Sequence, residues 1–224
     1  MRHVTGVIVV LAVVGVAFGA GLGARRGADP VPPPAIDAPL AAASGRRTVV
    51  VAGGCFWGIE AVYRHVKGVL SAVSGYAGGA AATAHYEMVG TGRTGHAESV
   101  EITYDPSRIT YGQLLRVFFS VAHDPTERNR QGPDEGPQYR SAIFFAGPDE
   151  QRIAAAYVAQ LDGAKVFRRP IATEVTALSA FYAAEAYHQD YVAHHPSDLY
   201  VMINDAPKVR NLRTAFPELY VDVK

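Results

Sequence analysis

The hydrophobic period of this chain changes again and again, and that alternation restricts the fold more than any other feature. Residues 48–52 are a short, largely β-branched run closed by Gly53-Gly54. The spacing then becomes helical, with Phe56, Ile59, Val62, Tyr63 and Val66 on one face and a stop at Gly68. Residues 69–76 predict a second strand. Residues 98–104 alternate and end at Asp105-Pro106, a turn signal. Thr110 and Gln113 have the form of a capping box, which predicts a helix through Leu114, Leu115, Phe118 and Val121. Residues 139–145 read as a strand, 149–161 as a helix closed by Gly163, and 171–178 as a strand, after which Ser179 is placed to cap a last helix ending by Pro196. Two Gly-rich stretches, residues 77–95 and 124–137, read as loops. Strands and helices that alternate without a strict repeat predict a two-layer α/β sandwich with a mixed sheet.

The N-terminus is different in kind. Arg2 and His3 precede an uncharged run, residues 4–24, about as long as the roughly 20 apolar residues a bilayer crossing takes. A secretory signal has the same basic start and apolar middle, with small residues such as Ala20 and Ala24 before its cleavage point. Residues 1–26 therefore predict export, as a cleaved signal peptide or a retained membrane anchor, and a periplasmic or cell-envelope location. Residues 27–47 hold Pro30, Pro32, Pro33 and Pro34 among Ala, Gly and Asp, and read as a linker because such a composition buries little apolar surface against its chain entropy. Residues 48–224 are the expected catalytic domain. Basic and acidic residues balance at 21 each, so there is no electrostatic case for a nucleic-acid partner.

The chain has one cysteine, Cys55, so it forms no internal disulfide and no cysteine-rich zinc site. Cys55 follows a strand and two glycines where a helix begins, and free backbone N–H groups and the helix dipole favour a thiolate there. By itself this arrangement fits a reactive thiol and a buried inert one equally. Glu98 shares a strand face with Val100, Ile102 and Tyr104. Burial on that face would raise its pKa and make it a general acid, whereas a solvated strand end would leave it ionised. Tyr86 and Tyr139 sit in or beside loops, and spacing alone does not separate them from the other tyrosines. His96 and His123 are the candidate bases of a rival reading, a cysteine hydrolase, although no local protease signature accompanies Cys55. A non-enzymatic peptide-binding module is the other rival. His188, His194 and His195 lack the spacing of a metal site, and no metal is expected.

Four separated segments, in order, are similar to A-type peptide methionine sulfoxide reductases. They are Gly54-Cys55-Phe56-Trp57-Gly58, Gly95-His96-Ala97-Glu98, Asn129-Arg130-Gln131-Gly132-Pro133-Asp134, and Gln138-Tyr139-Arg140-Ser141. The resemblance covers the chain from about Thr48 to beyond Pro196, and the fold class becomes α/β (α+β), a two-layer sandwich with a ferredoxin-like core. It implies that Cys55 attacks the sulfoxide sulfur while Glu98 protonates the oxygen. Tyr86 and Tyr139 would hydrogen-bond that oxygen, and Asp134 would order the site, often through water. Phe56 and Trp57 would wall the pocket for the substrate methyl group, with His96 in no more than a supporting role. The substrate would be the S epimer of methionine sulfoxide in oxidised proteins or peptides, and Cys55 would be left as a sulfenic acid. No bound cofactor is implied, and a monomer is expected. Many members of that family carry resolving cysteines near the C-terminus. This chain has none, so the implied partner is an external reductant, a thioredoxin-like protein or a small thiol.

Overall fold

The computed structural model describes residues 29–223. The predicted signal or anchor lies outside them, and among the described residues no helix is long and apolar enough to cross a membrane. The elements run β1 (Arg47–Gly53), α1 (Phe56–Arg64), β2 (Val69–Ala77), α2 (Tyr86–Val89), β3 (Ala97–Tyr104), α3 (Tyr111–Val117), β4 (Arg130–Gln131), β5 (Asp134–Glu135), β6 (Ser141–Phe145), α4 (Pro148–Gly163), β7 (Glu174–Ala177), β8 (Phe181–Ala183), α5 (Tyr191–His194) and α6 (Ala206–Ala215). Wider π turns extend α3 over Phe118–Ala122 and lead into α6 over Val201–Asp205.

The main sheet has the order β7-β6-β1-β3-β2-β8. Its β1-α1-β2-β3-α3-β6 portion is an antiparallel β-α-β-β-α-β unit with strand order β6-β1-β3-β2, which is the ferredoxin-like arrangement. The pair β6–β7 is parallel and joined by α4, so the sheet as a whole is mixed, as the alternating periods predict. Alternation along each strand sorts the side chains. Val49, Val51, Val100, Ile102 and Ile143 share the main core with Ile59 and Val62 of α1, Leu114 of α3 and Leu161 of α4. On the other face Val50, Ala52, Ala97, Ala142 and Phe144 form a smaller cluster with Leu178 and Phe181. The predicted capping box is present: Thr110 Oγ1 accepts the Gln113 N–H, and Gln113 Oε1 accepts the Thr110 N–H.

The predicted last helix over residues 179–196 does not form. Phe181–Ala183 instead completes the edge of β2 against Gly75–Ala77, where Gly75 leaves room for the Phe181 ring. Pairing with an open edge satisfies backbone groups that a helix beginning at Ser179 would leave on β2. A single 3-10 turn and the one-turn α5 follow, interrupted at Asp190, whose φ is 57°. The last helix is α6, which has Pro207 in its first turn and was not anticipated.

Residues 29–46 carry no helix and no strand before β1, in keeping with their proline content, yet they lie against the domain. Val31 is buried in the main core. Its N–H donates to Ser120 Oγ (3.0 Å), and its carbonyl accepts from Arg116 Nε (2.8 Å). Tyr157 O–H donates to the Pro32 carbonyl (2.7 Å). The expected linker is thus a docked strap from Val31 onward, because one valine and a row of satisfied carbonyls offset the composition argument.

Candidate active site

The turn from β1 into α1 sets the position of Cys55. Gly54 has φ +96°, and a side chain there would run into Gln131. Gly53 leaves equally little room, since a Cβ would meet His123. The tight elbow delivers Cys55 to the cap position of α1, where the first-turn N–H groups are free of helix partners. One of them is used across the site: the Phe56 N–H donates to Glu98 Oε2 (3.1 Å).

Glu98 enters from β3, directly opposite Tyr76 of β2, and is only 3% exposed. Of the two readings open from its position on the strand, the structure takes the buried one. Burial is the main cause that pushes its pKa up to about 8; the Phe56 N–H opposes the shift, and Asp134 and Asp205 reinforce it. Near neutral pH the carboxyl is therefore predominantly protonated, and with Oε2 held by Phe56 the proton belongs on Oε1.

Cys55 itself is 8% exposed. Burial pushes its thiol well above the ordinary range, helped by the Glu98 and Asp205 carboxylates and opposed by Lys208 and the Trp57 N–H. The helix-terminus argument for a thiolate is offset here: the Trp57 N–H acts in the expected direction, but desolvation by burial outweighs it.

Cys55, Phe56, Trp57, Tyr86, Glu98, Asp134 and Tyr139 all line one cavity of about 320 Å³. Three different devices bring in the loop residues. Tyr86 opens α2, and its N–H donates to Glu185 Oε1 (2.9 Å). Asp134 starts β5, the return strand of a two-residue hairpin that turns at Gly132-Pro133. Tyr139 sits in a 3-10 turn started by Pro137. Burial raises the pKa of both phenols, so they stay neutral. Burial also raises the Asp134 carboxyl, while a hydrogen bond from Tyr200 and the charge of Lys208 hold it down.

The aromatic wall is more elaborate than the sequence suggested. Trp57 stacks on Tyr191, with centroids 3.7 Å apart and planes 7° from parallel, and meets Tyr200 edge-on. Its indole N–H donates to His188 Nδ1 (3.1 Å). Phe56 is buried against Tyr76 and His188. Tyr191, Asp198 and Tyr200 also line the cavity and were missed, since Tyr191 opens a short helix inside the span read as one long helix and the other two lie in the turn beyond it. The only sequence signal for them was the density of Tyr and Asp around Pro196.

The histidines of the rival reading lie elsewhere. His96 is buried beneath the loop after β2, where Nδ1 accepts the Gly79 N–H (3.2 Å) and Nε2 donates to the Ala80 carbonyl (3.0 Å). His123 has both ring nitrogens engaged, by the Phe118 carbonyl and Ser141 Oγ, and burial lowers its pKa to about 3. Neither lines the cavity. Among the described residues no group of three or more His, Cys, Asp or Glu is placed to hold a metal ion.

With this geometry in view, similarity to known proteins is extensive. The family described as "Peptide methionine sulfoxide reductase" matches residues 47–219. Peptide methionine sulfoxide reductase MsrA 2 of Mesorhizobium japonicum is 59% identical over 179 residues, covering 80% of this chain and 92% of that protein. MsrA of Thermus thermophilus is 48% identical over 169 residues, covering 75% and 94%. Among solved structures, methionine sulfoxide reductase A of Corynebacterium diphtheriae is 38% identical with a TM-score of 0.58, covering 68% of this chain and 76% of that one. Reduced Mxr1 from Saccharomyces cerevisiae is 33% identical with a TM-score of 0.62, covering 68% and 87%.

Proposed function

The chain belongs to the peptide methionine sulfoxide reductase family, and from that premise we propose that Cys55 attacks the sulfoxide sulfur while Glu98 protonates the oxygen. The activity is that of a peptide-methionine (S)-S-oxide reductase, an oxidoreductase that returns methionine sulfoxide to methionine and so repairs oxidised proteins.

One observation carries the mechanistic reading: a thiol and a carboxyl that keeps its proton near neutral pH open on the same cavity, beside two neutral phenols. A sulfoxide oxygen leaves poorly until it is protonated, so attack at sulfur and proton delivery to oxygen must occur together. Tyr86 and Tyr139 donate to the oxygen as negative charge grows there, and the low-dielectric site strengthens those bonds. When Glu98 is neutral, its contribution to the high thiol pKa disappears, and the thiolate becomes easier to form. Attack forms a bond between Cys55 Sγ and the substrate sulfur. As the protonated oxygen then passes to Sγ, both the S–O bond and that new S–S bond break. The substrate sulfur leaves as methionine, and the oxygen stays on Cys55 with one proton. Cys55 is oxidised by two electrons to the sulfenic acid, and the substrate is reduced by two. Phe56 and Trp57 enclose the methyl group and thereby select the epimer. No second cysteine exists in the chain to resolve the sulfenic acid, so an external thiol reduces it. We place this chemistry outside the cytoplasm, on the basic start and apolar run of residues 1–26.

A single-turnover assay without reductant tests the mechanism. About one methionine per protein from the S epimer alone, with sulfenic acid at Cys55 and none from Cys55→Ser, is the expected result. No methionine from fully reduced protein, even after addition of dithiothreitol, overturns it and returns the hydrolase and binding-module readings.

A further inference from the structure

The three most exposed large apolar side chains among the described residues are Leu199 (69%), Ile203 (62%) and Tyr187 (60%). None of them is scattered. Leu199 stands between Asp198 and Tyr200, both of which line the cavity that holds Cys55. Met202 and Ile203 follow on the same turn, where the Met202 N–H donates to the Asp198 carbonyl (2.9 Å), and Met202 is exposed as well. Tyr187 packs beside His188, whose ring also meets Tyr86, and exposed Met88 shares the single turn of α2 with Tyr86. Each turn thus carries polar side chains that line the cavity and, within a few residues of them in the chain, exposed apolar ones. Exposed apolar surface that gathers at a site mouth marks a contact surface, whereas isolated exposed residues need no explanation.

The size of the cavity indicates what touches this rim. A space of about 320 Å³ holds one methionine sulfoxide side chain against Cys55, Glu98 and the aromatic wall. The chain on either side of that residue must leave over the lip. Resting on the reductase reading above, we propose that Leu199, Met202 and Ile203, with Tyr187 and Met88, form a subsite for apolar side chains flanking the oxidised methionine. The favoured substrate is then an extended segment whose neighbours are apolar, the kind a folded protein buries and exposes when oxidation loosens its core.

The test uses the full chain with excess dithiothreitol, so that docking of a protein reductant does not enter. It compares kcat/KM for blocked peptides in which methionine-S-sulfoxide is flanked by leucine or by serine. Reading the ratio within one protein cancels any change in overall activity. The unaltered protein should favour the leucine peptide by about five- to ten-fold, the scale of partial burial of one or two leucines. In the Leu199→Ser/Ile203→Ser variant the ratio should fall close to one. A ratio near one in the unaltered protein, or one that survives the double substitution, overturns the subsite. So does a variant that keeps the ratio but is recycled more slowly by a protein dithiol, because that assigns the surface to the reductant. Failure to reduce even a blocked single methionine sulfoxide is a separate outcome, which removes the reductase reading and the subsite with it.

Discussion

Glu98 and Cys55 depend on each other through one proton. Glu98 holds it up to about pH 8, chiefly because of burial, and an ionised Glu98 raises the thiol pKa in turn. Glu98→Ala should slow single-turnover reduction by roughly 10²–10⁴-fold, the usual range for a lost general acid. Alkylation of Cys55, which needs no acid, should change far less, and a drop of only about two-fold in reduction would remove Glu98 from the role. The pH dependence follows with its sign. Reduction needs the protonated carboxyl, so the single-turnover rate should decline as pH rises through about 8, and Glu98→Gln should abolish that limb. The same raised pKa has a stability consequence. A carboxyl at 4.5 when unfolded and about 8 when folded contributes stability that is complete below about pH 4.5 and lost as pH rises through about 8. Chemical denaturation at pH 6 and 9 should show a larger loss for the unaltered protein than for Glu98→Gln; equal losses would contradict the shift. Glu98 was half legible in the sequence: its place on an alternating apolar face left burial and a solvated strand end equally open, and only the fold decided between them. Tyr86 and Tyr139 were not legible, since a loop tyrosine becomes a donor only when a distant turn aims it, and the resemblance alone picked them from the twelve.

At the scale of elements, α1 meets α6 across a glycine. A Cβ on Gly58 would lie 2.2 Å from Asp205 Oδ1 and 2.7 Å from Lys208 Nζ. Asp205 is fully buried and held by Lys208 at 3.1 Å, so it has nowhere to swing. Helix propensity says Gly58→Ala should stabilise α1 by up to about 1 kcal/mol. Overpacking against a buried ion pair costs about 1–3 kcal/mol. The clash wins, so Gly58→Ala should lower the denaturation midpoint, and a higher midpoint would show that α6 yields freely. This contact explains the last glycine of the Gly54-Cys55-Phe56-Trp57-Gly58 segment, which sequence reading could recognise but not account for. Elements set by local signals were read well: β1 from its β-branched run, β3 from alternation, α3 from its capping box, and α4 over residues 149–161. The error over residues 179–196 arose where local signals are silent. Whether Phe181–Ala183 coils or pairs depends on the free edge of β2, more than a hundred residues away in the chain, and no local period records that edge.

The whole molecule is larger than the family match, which begins at residue 47. Residues 29–46 bind the outer side of α3 and α4 through contacts of unequal weight. Burial of Val31 is worth about 1.5–3 kcal/mol. Asp37 adds a second cap to α3: its Oδ1 accepts the Gly112 N–H (2.7 Å) and its Oδ2 the Thr110 hydroxyl, in space that Gly112 leaves open. Such a cap is worth about 1 kcal/mol. Against these stands the entropy of ordering the strap, which is reduced because Pro30, Pro32, Pro33 and Pro34 already have φ restricted. The strap is docked, so its contacts outweigh that entropy. The net is about 1–3 kcal/mol, which stays below the gross gain from Val31 and the Asp37 cap. A chain beginning at Asp29 should therefore melt roughly 5 °C above one beginning at Arg47, given about 2–4 °C per kcal/mol for a domain of this size. Every residue lining the cavity lies at or beyond Cys55, so the two truncations should reduce methionine sulfoxide at the same single-turnover rate below their melting points. Equal melting temperatures would make the strap a passenger. A lower rate in the shorter chain would mean that it also supports the turn at Phe118–Ala122, whose following residue, His123, packs on Gly53 behind the nucleophile.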